Sequence, residues 1–456
     1  MCDLDYERER ERFMNSVWKE KFESIREMER HYQKGFLSNF KMALMWIAVA
    51  VISGVVVGIF SSTFAYCLAF VTTFRQFHPW IVYLLPVGGL PIVLIYRVTG
   101  LYTDKGTNTI LDVVHGKNDQ VPALMAPVIY VATLITHLFG GSAGREGAAL
   151  QMGGSLGSTI GRVLKMNERD RKIAVLCGMS AAFSVVFGTP LAAAVFPMEM
   201  VSVGFMQYSG LVPCAFASII ANQFAVNMGI NPHAFQVSNI PAMSVITGTK
   251  TVFLGVLCAF LSIIFVVTLR MAHKFYAKIE NPYVRIVIGG SIVLLLTLLL
   301  GTRIYNGASV GILDLSIAGI APKPAFLIKL IMTALTLAAG FRGGEIVPAF
   351  CVGAAFGNLF GSLMGMSPAL CAAVAMVSVF CGVTNCPIAS MLIGFELFGF
   401  SGVPYILLSV SVSYMLSGYR GLYNDQIIMY SKFHPRYLNR ISGEEDFDGR
   451  DYEEED

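Results

Sequence analysis

A chain of 456 residues with 55% hydrophobic side chains, 14% charged ones and a mean hydropathy of +0.63 is too poor in charge to be an ordinary soluble enzyme, in which about 25% is usual. The net charge of +3 says little, but its distribution says more: 18 charges fall in the first 41 residues and another run closes the chain over 432–456. The remaining basic clusters, 162–172 with Lys165, Arg169 and Arg171 and 270–285 with Lys274 and Lys278, are short and flanked by apolar segments, which argues against nucleic-acid binding.

In chain order, residues 1–34 read as a polar helix carrying Met14, Trp18, Phe22, Ile25, Met28 and Tyr32 at helical spacing, a stripe suited to a membrane surface or interface. The acidic start, Met1-Cys2-Asp3, shows no cleavable signal peptide. Hydrophobic segments follow at 37–72, 79–98, 122–140, 146–162, 172–187, 190–203, 209–228, 245–272, 284–301, 324–341, 346–362, 367–383, 388–400, 404–417 and 422–431. A spanning helix needs about 20 apolar residues, so several of these are too short and read as broken or re-entrant helices lining a cavity. The expected fold is all-α and polytopic, with a transmembrane domain over 35–435 and an acidic tail over 436–456. By the positive-inside rule the two basic clusters are cytoplasmic loops, and both termini are expected in the cytoplasm of a cell-membrane protein. The nine Cys have no CxxC spacing or His neighbours and read as apolar packing residues, so no metal site or cofactor is expected.

The domain is internally repeated. Aligning Glu146 with Glu345 brings Gly154 onto Gly353, and Pro190-Leu191-Ala192 precedes Glu199 by the same nine residues that separate Pro387-Ile388-Ala389 from Glu396. The halves cover about 36–228 and 245–431. Repeats with Gly- or Pro-interrupted helices at matching places are the pattern of a transporter whose site lies at the repeat interface.

Two breaks carry the chemistry. Gly144-Arg145-Glu146-Gly147-Ala148 opens an apolar helix, leaving the N–H groups of Gly147 and Ala148 free at a positive dipole end beside an acid. A carboxylate there can occupy an anion site when ionised and leave it when protonated, exchanging an anion for a proton. Arg145–Glu146 pairing or helix capping is the structural alternative. The second break, Gly343-Gly344-Glu345-Ile346-Val347-Pro348, offers N–H donors from Ile346 and Val347, since Pro348 has none, with Glu345 either at the anion or simply stabilising the helix end. Tyr423 can donate a phenolic proton to the same anion or serve as an interfacial aromatic.

With these motifs in order, the sequence resembles the CLC family of chloride channels and anion/proton antiporters over 36–435. Gly144-Arg145-Glu146-Gly147-Ala148 resembles the family's GREGP with Ala in place of Pro, Gly344-Glu345-Ile346-Val347-Pro348 its GxFxP, Tyr423 its pore tyrosine, and Phe187-Gly188-Thr189-Pro190 a family helix break. The resemblance implies two inverted halves per subunit, a homodimer with one pathway in each protomer, Glu146 as gating glutamate, and an anion held by the N–H groups of 147–148 and 346–347 and by the Tyr423 hydroxyl.

The departures point further. Lys105, in Asp104-Lys105-Gly106-Thr107, stands where chloride-handling members place an anion-coordinating Ser, facing either the anion or cytoplasmic water. Met200 aligns with their internal proton glutamate, and Glu199 is one position early. With Glu345, these resemble the fluoride-exporting branch, although that branch often has a hydroxyl residue where this chain has Val347. The end of the chain soon after the last segment implies a prokaryotic type without paired nucleotide-sensing domains. Fluoride export with proton import is the leading expectation, and a chloride channel or chloride/proton exchanger is the alternative. An intramembrane serine protease is a remote third, suggested by Gly140-Gly141-Ser142-Ala143-Gly144 and needing a nearby base such as His137.

Overall fold

A computed structural model describes residues 2–102, 104–230, 235, 237 and 240–443. Two compact units are distinguished, Met1–Val49 and Ala50–Asp456. The chain begins with α1, Cys2–Phe77, whose apolar stretch starts at Gly35. In the first unit Trp18, Met28 and Tyr32 are exposed, while the side chains of Met14, Phe22 and Ile25 lie outside the described residues.

The second unit is helical throughout its membrane part. The first half continues with α2 (Leu85–Gly88), α3 (Leu90–Val98), α4 (Thr107–Val114), α5 (Met125–Phe139), α6 (Glu146–Val163), α7 (Glu168–Phe187), α8 (Pro190–Met200) and α9 (Leu211–Asn227). The second half contains α10 (Val245–Ala277), α11 (Pro282–Leu299), α12 (Val310–Ile317), α13 (Ala325–Ala338), α14 (Ile346–Met364), α15 (Pro368–Thr384), α16 (Pro387–Phe398) and α17 (Val403–Leu416). Among the described residues five helices are long and apolar enough to span a bilayer, or six if the bent pair Pro79–Gly88 and Leu90–Val98 is one span. The short apolar segments are indeed short helices, α8 with 11 residues and α16 with 12.

Local chemistry sets these boundaries. Side-chain oxygens of Asn167 and Ser367 accept the N–H of Asp170 and Leu370 and so start α7 and α15. Left-handed residues, Gly188 at φ 70° and Asn385 at φ 60°, stop them, and Pro190 and Pro387 open the next helices from their first turns. Gly157 and Gly357 let α6 press on α7 and α14 on α15, because a Cβ at either would collide with the carbonyl oxygen of Ala174 or Cys371. Close backbone approach through small residues is how helices gain packing energy where lipid removes the hydrophobic drive.

The structure corrects the register of the repeat at the first break. α6 begins at Glu146 and α14 at Ile346, preceded by Arg145 and Glu345 as their caps. Gly144 therefore matches Gly344, Gly157 matches Gly357, and Glu345 is the counterpart of Arg145 rather than of Glu146. The shared acid suggested a register that is one residue off, because helix starts and glycine contacts, not charge, fix equivalence. At the second pair the expected register stands, for α8 and α16 both begin at the matched Pro.

Matched residues also meet. Gly144 and Gly344 form an antiparallel bridge, Gly144 N to Gly344 O at 2.7 Å and Gly344 N to Gly144 O at 2.9 Å, which puts a local two-fold axis between the halves. Glu199 at the end of α8 accepts the N–H of Ile388 (2.9 Å) and Ala389 (2.7 Å) at the start of α16. Glu396 at the end of α16 accepts those of Leu191 (2.8 Å) and Ala192 (2.9 Å) at the start of α8. The two helices thus cap each other reciprocally, with an anion at each positive dipole end.

One hydrophobic segment is not a helix. After Gly418 and Gly421 the chain forms β2 (Ile427–Tyr430), parallel to β1 (Ser202–Val203) and antiparallel to β3 (Tyr437–Ile441), a small three-stranded sheet on an otherwise helical fold. β3 lies in the stretch assigned to the tail, and residues 444–456 are outside the described ones.

Candidate functional site

The Gly144–Gly344 bridge holds the starts of α6 and α14 against each other. A Cβ on Gly344 would stand 2.5 Å from the Gly147 nitrogen, and one on Gly144 would stand 2.6 Å from Glu146 Oε2 and 2.8 Å from Pro348 Cδ. The first-turn residues Gly147 and Ala148 of α6, and Ile346 and Val347 of α14, have N–H groups with no carbonyl of their own helix to bond. Two sets of outward-pointing donors therefore meet at one place, with both dipoles favouring negative charge.

Glu146 already occupies part of this place. It is fully buried, and its Oε2 accepts the N–H of Arg145 (2.9 Å) and, across the repeat interface, that of Val347 (3.3 Å). Its Oε1 has no hydrogen-bond donor and only the Arg145 guanidinium at 3.5 Å. Arg145 itself donates to the carbonyl of Val186 at 3.1 Å. The two readings of Glu146 coexist here: it pairs with Arg145 and it sits on a backbone donor of the other half.

Glu345 stands at the N-cap position of α14 without a side-chain hydrogen bond to the helix, and its Oε2 lies 3.4 Å from where a Cβ on Gly147 would stand. Each acid thus reaches toward the helix start of the opposite half. Glu345 and Tyr423 line a cavity of about 290 Å³ with Gly106, Thr107, Asn108, Gln151, Arg270, His273 and Arg342. Glu146, Arg145 and Val347 line a separate, far smaller cavity of about 40 Å³, walled by Phe187, Phe235, Val310, Leu313, Phe350, Met376 and Leu397.

Nearly every residue singled out from the sequence converges here: Gly144, Arg145, Glu146, Gly147, Ala148, Gly344, Glu345, Ile346, Val347, Pro348 and Tyr423. Lys105 borders the large cavity, but its side chain is 62% exposed and its ammonium lies 3.4 Å from Asp112 Oδ2. The neighbouring Gly106, at φ +67°, starts α4 and turns Thr107 and Asn108 into the cavity. Glu199 is committed to its cap on α16. Ser142 is buried and hydrogen-bonded to Thr333 and Lys329, and the His137 ring faces the Gly144 carbonyl at 3.3 Å rather than Ser142. Sequence reading missed Gln151, Arg342 and Lys329. A search for lone cations inside apolar segments, not acids alone, finds Lys329.

The chain has recognisable relatives among known proteins. A family model described as voltage gated chloride channel covers residues 88–418. A chloride/fluoride channel protein of Pseudomonas syringae pv. tomato is 32% identical over 396 residues, covering 85% of this chain and 88% of that protein. Among solved structures, a CLC-type fluoride/proton antiporter superposes with a TM-score of 0.80 at 28% identity, over 82% of this chain and 95% of that one. A slow cyanobacterial Cl⁻/H⁺ antiporter shares the fold with a TM-score of 0.70 at 19% identity, over 82% and 94% of the two chains.

Proposed function

The chain belongs to the CLC family of voltage-gated chloride channel proteins, membrane transporters of anions, and from that premise we propose that it exports fluoride in exchange for protons with Glu146 as the gate. The observation that carries this reading is the hydrogen bond from Val347 N–H to Glu146 Oε2, made by a fully buried carboxylate to the helix start of the other half. An ionised Glu146 and a transported anion need the same donors. When Glu146 takes up a proton it loses its claim on the Val347 N–H and leaves, and an anion can enter among the N–H groups of Gly147, Ala148, Ile346 and Val347. When the carboxyl returns it releases the proton and displaces the anion. The Tyr423 hydroxyl and Glu345 border the path on the large-cavity side.

Fluoride is favoured by the chemistry of these groups. It is a small, strongly hydrated acceptor, and two carboxyl groups that can donate O–H when protonated replace its water better than apolar walls do. The likeness to a fluoride/proton antiporter and to a chloride/fluoride channel protein supports the same choice. The basic stretches 162–172 and 270–285, which are helix ends at the α6–α7 and α10–α11 connections, would face the cytoplasm with both termini, and the large cavity, lined by Arg270, would open to that side. The protomer would work as a homodimer with one pathway per chain.

Proteoliposomes loaded with potassium fluoride test this. Fluoride efflux accompanied by proton uptake, with little chloride flux and loss of coupling in Glu146→Gln, is the expected result. Rapid chloride movement without discrimination against it would overturn the choice of fluoride and leave a chloride transporter.

A further inference from the structure

α13 carries a single charge, Lys329, in an otherwise uncharged apolar helix. The residue has no exposed surface, and its ammonium donates to Ser142 Oγ at 2.9 Å, to the Gly307 carbonyl at 2.8 Å and to the Tyr305 carbonyl at 3.4 Å. These three neutral oxygens satisfy its protons but not its charge, and among the described residues no carboxylate lies within ion-pair distance. Arg75, nearly as buried, donates to the His137 carbonyl in the same neighbourhood and adds positive charge rather than compensating it. A buried ammonium costs several kcal/mol unless a negative charge balances it. The carboxylate nearest along the chain to its partner Ser142 is Glu146, four residues on.

The connection is also mechanical. Ser142, held by Lys329, is two residues from Gly144, and Gly144 pairs with Gly344 at the meeting of the two helix starts. In the register fixed by Gly144 and Gly344, the counterpart of Lys329 in the first half is Ile129, an apolar residue beside the large cavity. The charge is therefore a departure from the repeat, not a feature of its scaffold.

We propose that Lys329 is a fixed counter-charge for the anion site, a positioning residue that lets the crossing of α6 and α14 hold one net negative charge at a time, either the Glu146 carboxylate or the transported anion. It touches neither. The inference rests on the reading of Glu146 as the gate, and it adds to the Arg145 guanidinium a second positive charge that stays in place in both of the gate's states.

A double-mutant cycle and a binding titration test it on the purified full chain. Lys329→Met leaves the Glu146 carboxylate with the Arg145 guanidinium as its one remaining positive partner, so its thermal stability should fall, and Glu146→Gln/Lys329→Met should recover most of that loss. In titrations with sodium fluoride and sodium chloride, Lys329→Gln, which keeps a hydrogen-bonding group and removes the charge, should weaken binding of the transported halide about tenfold, or about 1.4 kcal/mol. Lys329→Arg and Ser142→Ala should stay within about threefold, since each keeps the positive charge. Additive stability losses in the cycle, unchanged halide binding in Lys329→Gln, or an equal loss in Ser142→Ala would overturn the proposal. If the wild type binds chloride and not fluoride, the choice of ion falls while the cycle still decides the role of Lys329.

Discussion

The two halves bring the same elements to the centre and make opposite cavities from them. Around Glu345 the space is about 290 Å³ and lined by Gln151, Arg270, His273, Arg342 and Tyr423, whereas around Glu146 it is about 40 Å³ and walled largely by Phe187, Val310, Phe350 and Leu397. The equivalent short helices α4 and α12 show how this arises. α4 starts with Thr107 and Asn108 at the wide cavity, and α12 starts with Val310 at the narrow one. A repeat supplies a symmetric frame, and substitutions within it create direction. The space beside Glu345 has room for a hydrated ion and that beside Glu146 does not, so the two acids should not be functionally interchangeable.

The largest effect should come from Glu146→Gln, which leaves a side chain that cannot ionise on the Val347 donor. Proton-coupled fluoride efflux from proteoliposomes should fall by about 100-fold or more, in line with the loss of a positioned acid–base group. Glu345→Gln should cost less, about tenfold, because this acid borders the wide cavity and the Val347 donor is taken by Glu146. Equal losses in the two variants would break the asymmetry described above.

The reciprocal caps address the frame rather than the pathway. Glu199→Ala strands the N–H groups of Ile388 and Ala389 and should lower stability by about 1–3 kcal/mol. Glu396→Ala, at a more exposed site with the same pair of bonds, should cost less, about 0.5–2 kcal/mol. Thermal unfolding in detergent measures both, and unchanged proton coupling in Glu199→Ala would separate this residue from any relay. The smallest effect belongs to Lys105→Met. Its ammonium is mostly in water and turned to Asp112, so halide efflux should stay within about twofold of wild type, and a tenfold loss would place the side chain on the anion.

Much of this was legible beforehand because it depends on local chemistry. Scarce charge marks a membrane domain, Gly and Pro mark broken helices, and an acid inside an apolar stretch marks a site, since burial makes such residues too costly to keep without use. The Pro190–Glu199 and Pro387–Glu396 spacing, for instance, correctly marks two matched helices. It is silent on the fact that each Glu caps the other helix, because a bond across 189 or 205 residues leaves no trace in local pattern. Alignment leaves Lys105 open between the anion and cytoplasmic water, and only the fold shows its ammonium beside a carboxylate seven residues away in the chain, that of Asp112.

Residue types and spacing alone therefore marked this chain as a helical membrane protein of the CLC family with a matched pair of helices at Pro190 and Pro387, and named Glu146, Glu345 and Tyr423 as candidates for an anion site. Three things were decided only in the folded molecule: the register that pairs Gly144 with Gly344, the exchange of backbone donors between halves, and the burial of Lys329 beside the site. The division follows from range. Helix starts, breaks and caps are settled by residues a few positions apart, whereas a carboxylate on the opposite half's N–H or an ammonium without a carboxylate partner exists only after distant segments have packed together.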